Sequence, residues 1–270
     1  MDTKDFEEIQ KLRGQMEKVA RAAVMTTSKT LFDLGNSYRQ SGQWALGIAT
    51  LNAAFEVGDP YYSANALIML AVIYKLVEDA KKEMETYKRI ADLPEEFKQF
   101  IDPMQLGVAY TRTGRIEDAR ERYAYAGQLS PGNHIVEENL AELLILQGEL
   151  QEGLRLAEKL QARPEAKIFL VGRILKALSL SMLGQPQGAS EEIRWVAQYL
   201  ITQGGVPEDF SWDFRDSQKL WDKVDLKIAQ LVVQVLSRRI SFDEFRRSWI
   251  EIQPPATVGH TGQGELTTQS

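Results

Sequence analysis

Cysteine is absent from this 270-residue chain, and histidine occurs only at His134 and His260. No disulfide framework, thiol nucleophile or cysteine–zinc site can be built. Imidazole-rich metal sites and Ser-His catalysis lack their parts. Long apolar runs are missing too: the longest, Ala66 to Tyr74, falls far short of the roughly 18 residues that suggest a membrane span. There is no basic excess, with 32 basic against 38 acidic side chains and a net charge of -6, which argues against a nucleic-acid face. The start, Met1-Asp2-Thr3-Lys4-Asp5, lacks the basic-then-apolar pattern of a signal peptide. No phosphate-cradling glycine motif, HExxH pair or calcium loop is present. The expectation is a soluble, cytoplasmic protein that is not an enzyme and holds no cofactor or metal. Its composition, 44% hydrophobic and 26% charged, is that of a globular chain.

What is present is a repeat. Tyr38, Tyr74 and Tyr110 are spaced by 36 residues, Leu144 follows 34 later and Leu180 another 36 later. A small residue stands three before each: Gly35, Ala71, Gly107, Ala141 and Ala177. A glycine stands four after most of them, at Gly42, Gly114, Gly148 and Gly184. Prolines recur at Pro60, Pro94, Pro131 and Pro164. Glycine supplies the left-handed residue that ends a helix and lets the chain reverse. Proline blocks continuation of one helix and begins the next turn. Small residues let paired helices approach. A unit of this kind cannot bury its apolar face alone and is stabilised by stacking on its neighbours.

The best unit runs Leu106-Gly107-Val108-Ala109-Tyr110, Gly114, Ala119, Tyr123, Ala126 and Ser130-Pro131, and it resembles the tetratricopeptide repeat. That resemblance covers residues 28–203 in five units: 28–61, 64–97, 100–133, 134–167 and 170–203. It implies an all-α fold, a right-handed superhelical solenoid of about five helical hairpins with helical caps at both ends. Two units depart from the pattern. In the second, Glu78 replaces the glycine and Glu83 a small residue, which predicts a shifted register or a splayed pair with Glu83 in solvent. In the fifth, Lys176 replaces leucine.

Residues 1–27 carry Phe6, Ile9, Leu12, Met16, Val19 and Ala23, whose spacings settle into a 3-4 alternation, as in a heptad seam. This reads as an amphipathic helix, either a cap on the first repeat or a self-association element. Residues 206–252 form an aromatic-rich module. One helix is expected from about Phe214 to Leu236, with Trp221 and Ile228 on its apolar face. Another is expected from Phe242 to Ile252, opened by the capping box of Ser241 and Glu244 with Ile240 and Phe245 as its hydrophobic staple. The module reads as a C-terminal cap, or as a face that docks a partner or a second copy. Residues 253–270 read as a disordered tail.

In the family the first helix of each pair lines a concave groove that commonly binds peptides or protein segments. One subclass grips a terminal carboxylate, and Asn36 matches one of its places. Phe32, Met69, Ile101 and Gln105 stand where its other polar residues belong, so that mode is rejected. The groove predicted here is lined by Asn36, Arg39, Ile68, Val72, Met104, Val108, Ile145, Ile174 and Leu178. The reading that follows is a scaffold or adaptor holding a partner peptide or amphipathic helix. The alternatives are a homo-oligomeric structural subunit, assembled through Phe6, Ile9, Leu12, Met16, Trp221 and Ile228, or a chaperone shielding an apolar client. Arg238-Arg239 and Arg246-Arg247 come nearest to an anion site on which an RNA role would rest.

Overall fold

The computed structural model describes residues 3–208, 210, 221 and 226–252, with backbone alone for 3–9 and 226. Among the described residues there are α-helices and no strands: α1 (Thr3–Gln40), α2 (Trp44–Val57), α3 (Pro60–Leu76), α4 (Ala80–Ala91), α5 (Glu95–Lys98), α6 (Pro103–Arg112), α7 (Ile116–Leu129), α8 (His134–Gln147), α9 (Leu150–Gln161), α10 (Ala166–Met182), α11 (Pro186–Gln203), α12 (Leu226–Leu236) and α13 (Phe242–Ile252). They fall into two compact units, Met1–Leu143 and Leu144–Ser270.

In the first unit α1 pairs with α2, α3 with α4 and α6 with α7, and each second helix packs on the next first helix. The two best-defined starts share one device. Asp59 accepts hydrogen bonds from the N–H groups of Tyr61 and Tyr62, with Pro60 at the first helical position, and Asp102 does the same for Met104 and Gln105 ahead of Pro103. Close approach is set by missing side chains. A Cβ on Gly107 would lie 2.5 Å from Tyr123 Cε1, and one on Gly35 would lie 2.7 Å from Leu51 Cγ. Leu51, Leu67, Leu70, Ile73, Ile90, Leu106 and Tyr123 form the buried core.

The hairpin bends repeat one pattern. The N–H of Gly42, Gly114, Gly148 or Gly184 bonds a carbonyl three residues back, and the next N–H bonds one five back, as Arg115 does to Tyr110 at 2.8 Å. Glu78 enters the same bend with a φ of 58°, bonding Lys75 O while Asp79 N bonds Tyr74 O at 2.9 Å. The register therefore does not shift at the second unit, nor does Glu83 turn to solvent. Glu83 is buried, at 6% exposure. The backbone bonds of the bend are worth more than the left-handed strain of one glutamate. Arg238, with a φ of 58°, ends α12 in the same way.

A second correction concerns the N-terminus. No break separates residues 3–27 from the first repeat; α1 is one helix of 38 residues. The polar run Thr26-Thr27-Ser28 looks like a helix start, yet no cap forms there. Thr30 donates its hydroxyl back to the Thr26 carbonyl at 2.9 Å, a bond made inside a continuing helix. The segment is thus an extension of the first hairpin and not a separate cap lying on it.

In the second unit α9 packs on α10, α10 on α11, α11 on α12 and α12 on α13. Gly172 sits at the α9–α10 crossing, where a Cβ would come within 2.3 Å of the Gln161 backbone nitrogen. α10 is buried over most of its circumference, through Ile168, Leu170, Val171, Ile174, Leu175, Ala177, Leu178 and Leu180, with a half-buried stripe at Phe169, Arg173 and Lys176. Lys176 escapes that core by pairing with Glu192 at 2.8 Å, and Arg173 pairs with the same carboxylate. At α13 the capping box closes reciprocally. Ser241 N donates to Glu244 Oε2 at 2.8 Å, Glu244 N donates to Ser241 Oγ at 3.2 Å, and Phe245 is fully buried. The expected helix start at Phe214 and the 253–270 tail lie outside the described residues.

Candidate functional site

The expected groove residues separate by unit. In the first, Asn36 and Arg39 lie on α1, half-buried, and Arg39 Nε donates to Asn36 Oδ1 at 2.9 Å, which fixes the guanidinium along the helix. Val72 on α3 and Met104 and Val108 on α6 are half-buried, the last two leaning on the core. Ile68 is core, at 7% exposure. In the second unit Ile145, Ile174 and Leu178 are all at 0% exposure. They are ordinary core and line no accessible surface. The ladder gives the phase of a helix but not whether the face it points to is covered.

The surface that remains in the first unit is bordered by aromatics that the sequence reading passed over. Phe32 on α1 meets Tyr62 at 5.9 Å between ring centres. Tyr62 meets Tyr61 edge-on at 4.9 Å, and Tyr61 meets Phe100, just before α6, at 5.8 Å. Tyr61 and Phe100 are 49% and 41% exposed. Edge-to-face contacts of this kind fix the rings while leaving apolar surface open. Asn65 Nδ2 donates to the Tyr61 carbonyl at 2.8 Å and reaches the Phe100 carbonyl at 3.4 Å, tying α3 to the start of the third hairpin. Lys29 is held by Asp33, whose hydrogen bond and charge raise its pKa. Tyr61-Tyr62 at the start of α3 and Phe100 just before the start of α6 were the available signal.

The self-association residues also divide. Leu12 and Met16 stand out at 52% and 71% exposure, whereas Trp221 and Ile228 are buried at 1% and 2%. The last two pack inside the second unit and present nothing to another copy. The side chains of Phe6 and Ile9 lie outside the described residues. The second unit has its own aromatic cluster of Phe169, Trp195 and Tyr199, and the Arg173 guanidinium lies 5.1 Å from the Phe169 ring centre and 3.9 Å from that of Trp195. Among the described residues no group of three or more His, Cys, Asp or Glu could hold a metal ion, and no helix is long and apolar enough to cross a membrane.

Among the described residues both units are built of α-helices alone, and their helical hairpins resemble the tetratricopeptide repeat. No family model and no curated protein matches the sequence. Solved structures do resemble it. The crystal structure of MamA protein is 14% identical with a TM-score of 0.48, over 69% of this chain and 98% of that one. A tetratricopeptide repeat protein from Parabacteroides merdae is 13% identical with a TM-score of 0.48, over 85% and 81%. Pseudomonas aeruginosa PilF is 20% identical with a TM-score of 0.44, over 85% and 99%. Likeness at this level says nothing of function; the resemblance to the repeat is carried by the chain's own ladder of tyrosines, small residues and left-handed bends.

Proposed function

We propose that the protein is a non-enzymatic scaffold that holds a partner's peptide or amphipathic helix on the first helices of the first unit. The observation that carries this is a contrast between the units. Val72, Met104 and Val108 are half-buried and the rings of Tyr61 and Phe100 are open, while Ile145, Ile174 and Leu178 are sealed. Partly accessible apolar side chains and fixed, open aromatics on the first helices suit an apolar partner face, and the Asn36–Arg39 pair supplies directional hydrogen bonds on α1. The cytoplasm is the proposed compartment.

Affinity purification with two baits tests the reading. The variant bait carries Tyr61→Ala, Val72→Glu and Phe100→Ala, and circular dichroism must show wild-type helicity. A protein retained by the wild type and lost by the variant is the expected result. Identical sets from both baits would overturn the reading.

A further inference from the structure

α1 carries two apolar stripes with different fates. Over its C-terminal part, Ser28, Leu31, Phe32 and Gly35 face the repeats and are buried or half-buried. On the order of 130° round the helix, Leu12, Met16, Val19 and Ala23 form the second stripe. Leu12, Met16 and Val19 are 52%, 71% and 70% exposed, and every residue from Gln10 to Thr27 except Gly14 is exposed. An open concavity of about 520 Å³ lies along this stripe, lined by Leu12, Arg13, Met16, Glu17 and Ala20. The stripe ends where the repeats begin: its next positions, Thr30, Asp33 and Ser37, are polar and exposed. The seam therefore belongs to the extension alone and turns away from the hairpins. A helix projecting without tertiary packing is marginal in water, and an uncovered heptad seam calls for a partner of the same period.

We infer that the occupant is the same segment of a second copy, paired antiparallel with Met16 against the partner's Val19 and Leu12 against the partner's Ala23. Two features of the seam favour this pairing. First, it is large at one end and small at the other. The antiparallel register sets leucine on alanine and methionine on valine, filling every layer evenly, and the sequence continues it with Ile9 against the partner's Thr26. A parallel pair would stack Ala23 on Ala23 and leave voids beside its Met16 layer. Second, the flanks are compatible. Arg13 comes opposite the partner's Ala20 and Gln15 opposite the partner's Ala22, so no like charges meet. Arg13 is in any case neutralised along its own helix by Glu17, at 3.2 Å. The pairing stands apart from the groove of the first unit and does not depend on it.

The test uses the full chain. Light scattering at about 100 μM is expected to give twice the 30.6 kDa of one copy. Leu12→Glu with Met16→Glu is expected to halve that mass at unchanged helicity of the repeats, because both side chains are exposed in the single copy. Orientation is read by spin labels, and the absence of cysteine allows single labels at Lys11→Cys or Lys18→Cys. In the antiparallel pair the two Lys18 labels lie nearly level, whereas the Lys11 labels are offset along the axis by about 20 Å and give the longer distance. A wild type that stays monomeric assigns the seam to another occupant and overturns the inference. So does a dimer indifferent to the two glutamates, or equal distances at both labels.

Discussion

Gly172→Ala is the sharpest probe of how closely α9 and α10 are packed. A methyl there would meet Gln161 N at 2.3 Å, Gln161 Cα at 2.7 Å and the Ala157 carbonyl oxygen at 2.8 Å. Those are backbone atoms, so no rotamer change relieves the clash and the helices must part by about 1 Å to restore ordinary contact. Leu156, Leu160, Ile168 and Leu175 at the crossing would then lose part of their packing. Overpacking of this kind costs about 1–3 kcal/mol, and more where the obstacle is rigid. Against it stands the roughly 1 kcal/mol by which alanine is the better helix former. The net expectation is a loss of about 2 kcal/mol, or about 4–8 °C in Tm. Tryptophan fluorescence during urea unfolding is a suitable assay. Trp195, Trp212, Trp221 and Trp249 all belong to the second unit, and only Trp44 to the first. The control is Gly188→Ala on α11, where the new methyl meets only Leu180 Cδ1 at 3.4 Å, and stability is expected to hold or rise. A Gly172→Ala protein as stable as the wild type would refute the close-approach argument.

Two further outcomes follow from the bends and caps. Glu78→Gly is expected to stabilise the first unit by about 1 kcal/mol, because it removes left-handed strain of about 1–2 kcal/mol while adding some unfolded-state entropy. An unchanged or lower urea midpoint would count against strain at that bend. Glu244 has its carboxyl pKa lowered, first by the Ser241 backbone N–H and then by the Ser241 hydroxyl. A lowered folded pKa means that its contribution is full above the ordinary glutamate range, near pH 4.3, and is lost as pH falls through the folded value. Glu244→Gln keeps a capping partner and is expected to flatten the acid limb of α13 unfolding, followed by NMR. An acid limb identical in both proteins would refute the assignment.

The parts legible in the sequence are those fixed by local chemistry. The glycine after each first helix, the small residue opposite a large one, and Ser241 with Glu244 each act within a few residues of themselves. Glu78 was legible as an exception but not in its outcome, because the bend is held by backbone bonds that any residue can make at some strain. The seam in α1 was legible as a period, while the continuity of the helix was not: Thr26-Thr27-Ser28 has the composition of a cap and the hydrogen bonding of a helix interior. Ile174 and Leu178 failed for another reason. Their phase was right for a first-helix face, but exposure is a property of what lies against that face, and periodicity within one helix carries no record of it. The open aromatics of the first unit were not legible in the repeat ladder, because Tyr61 and Phe100 fall between its rungs.

No residue of α10 is exposed, and this changes what kind of object the second unit is. In an open stack each hairpin touches only its neighbours, so the array can lose an end unit and keep the rest. A central helix packed between α9 and α11 removes that freedom: its amides exchange with solvent when the elements around it come apart together. Hydrogen exchange in α10 thus reports the global unfolding of its unit, and shortening the chain from its C-terminal side is met by loss of the whole unit and not by the shedding of one repeat.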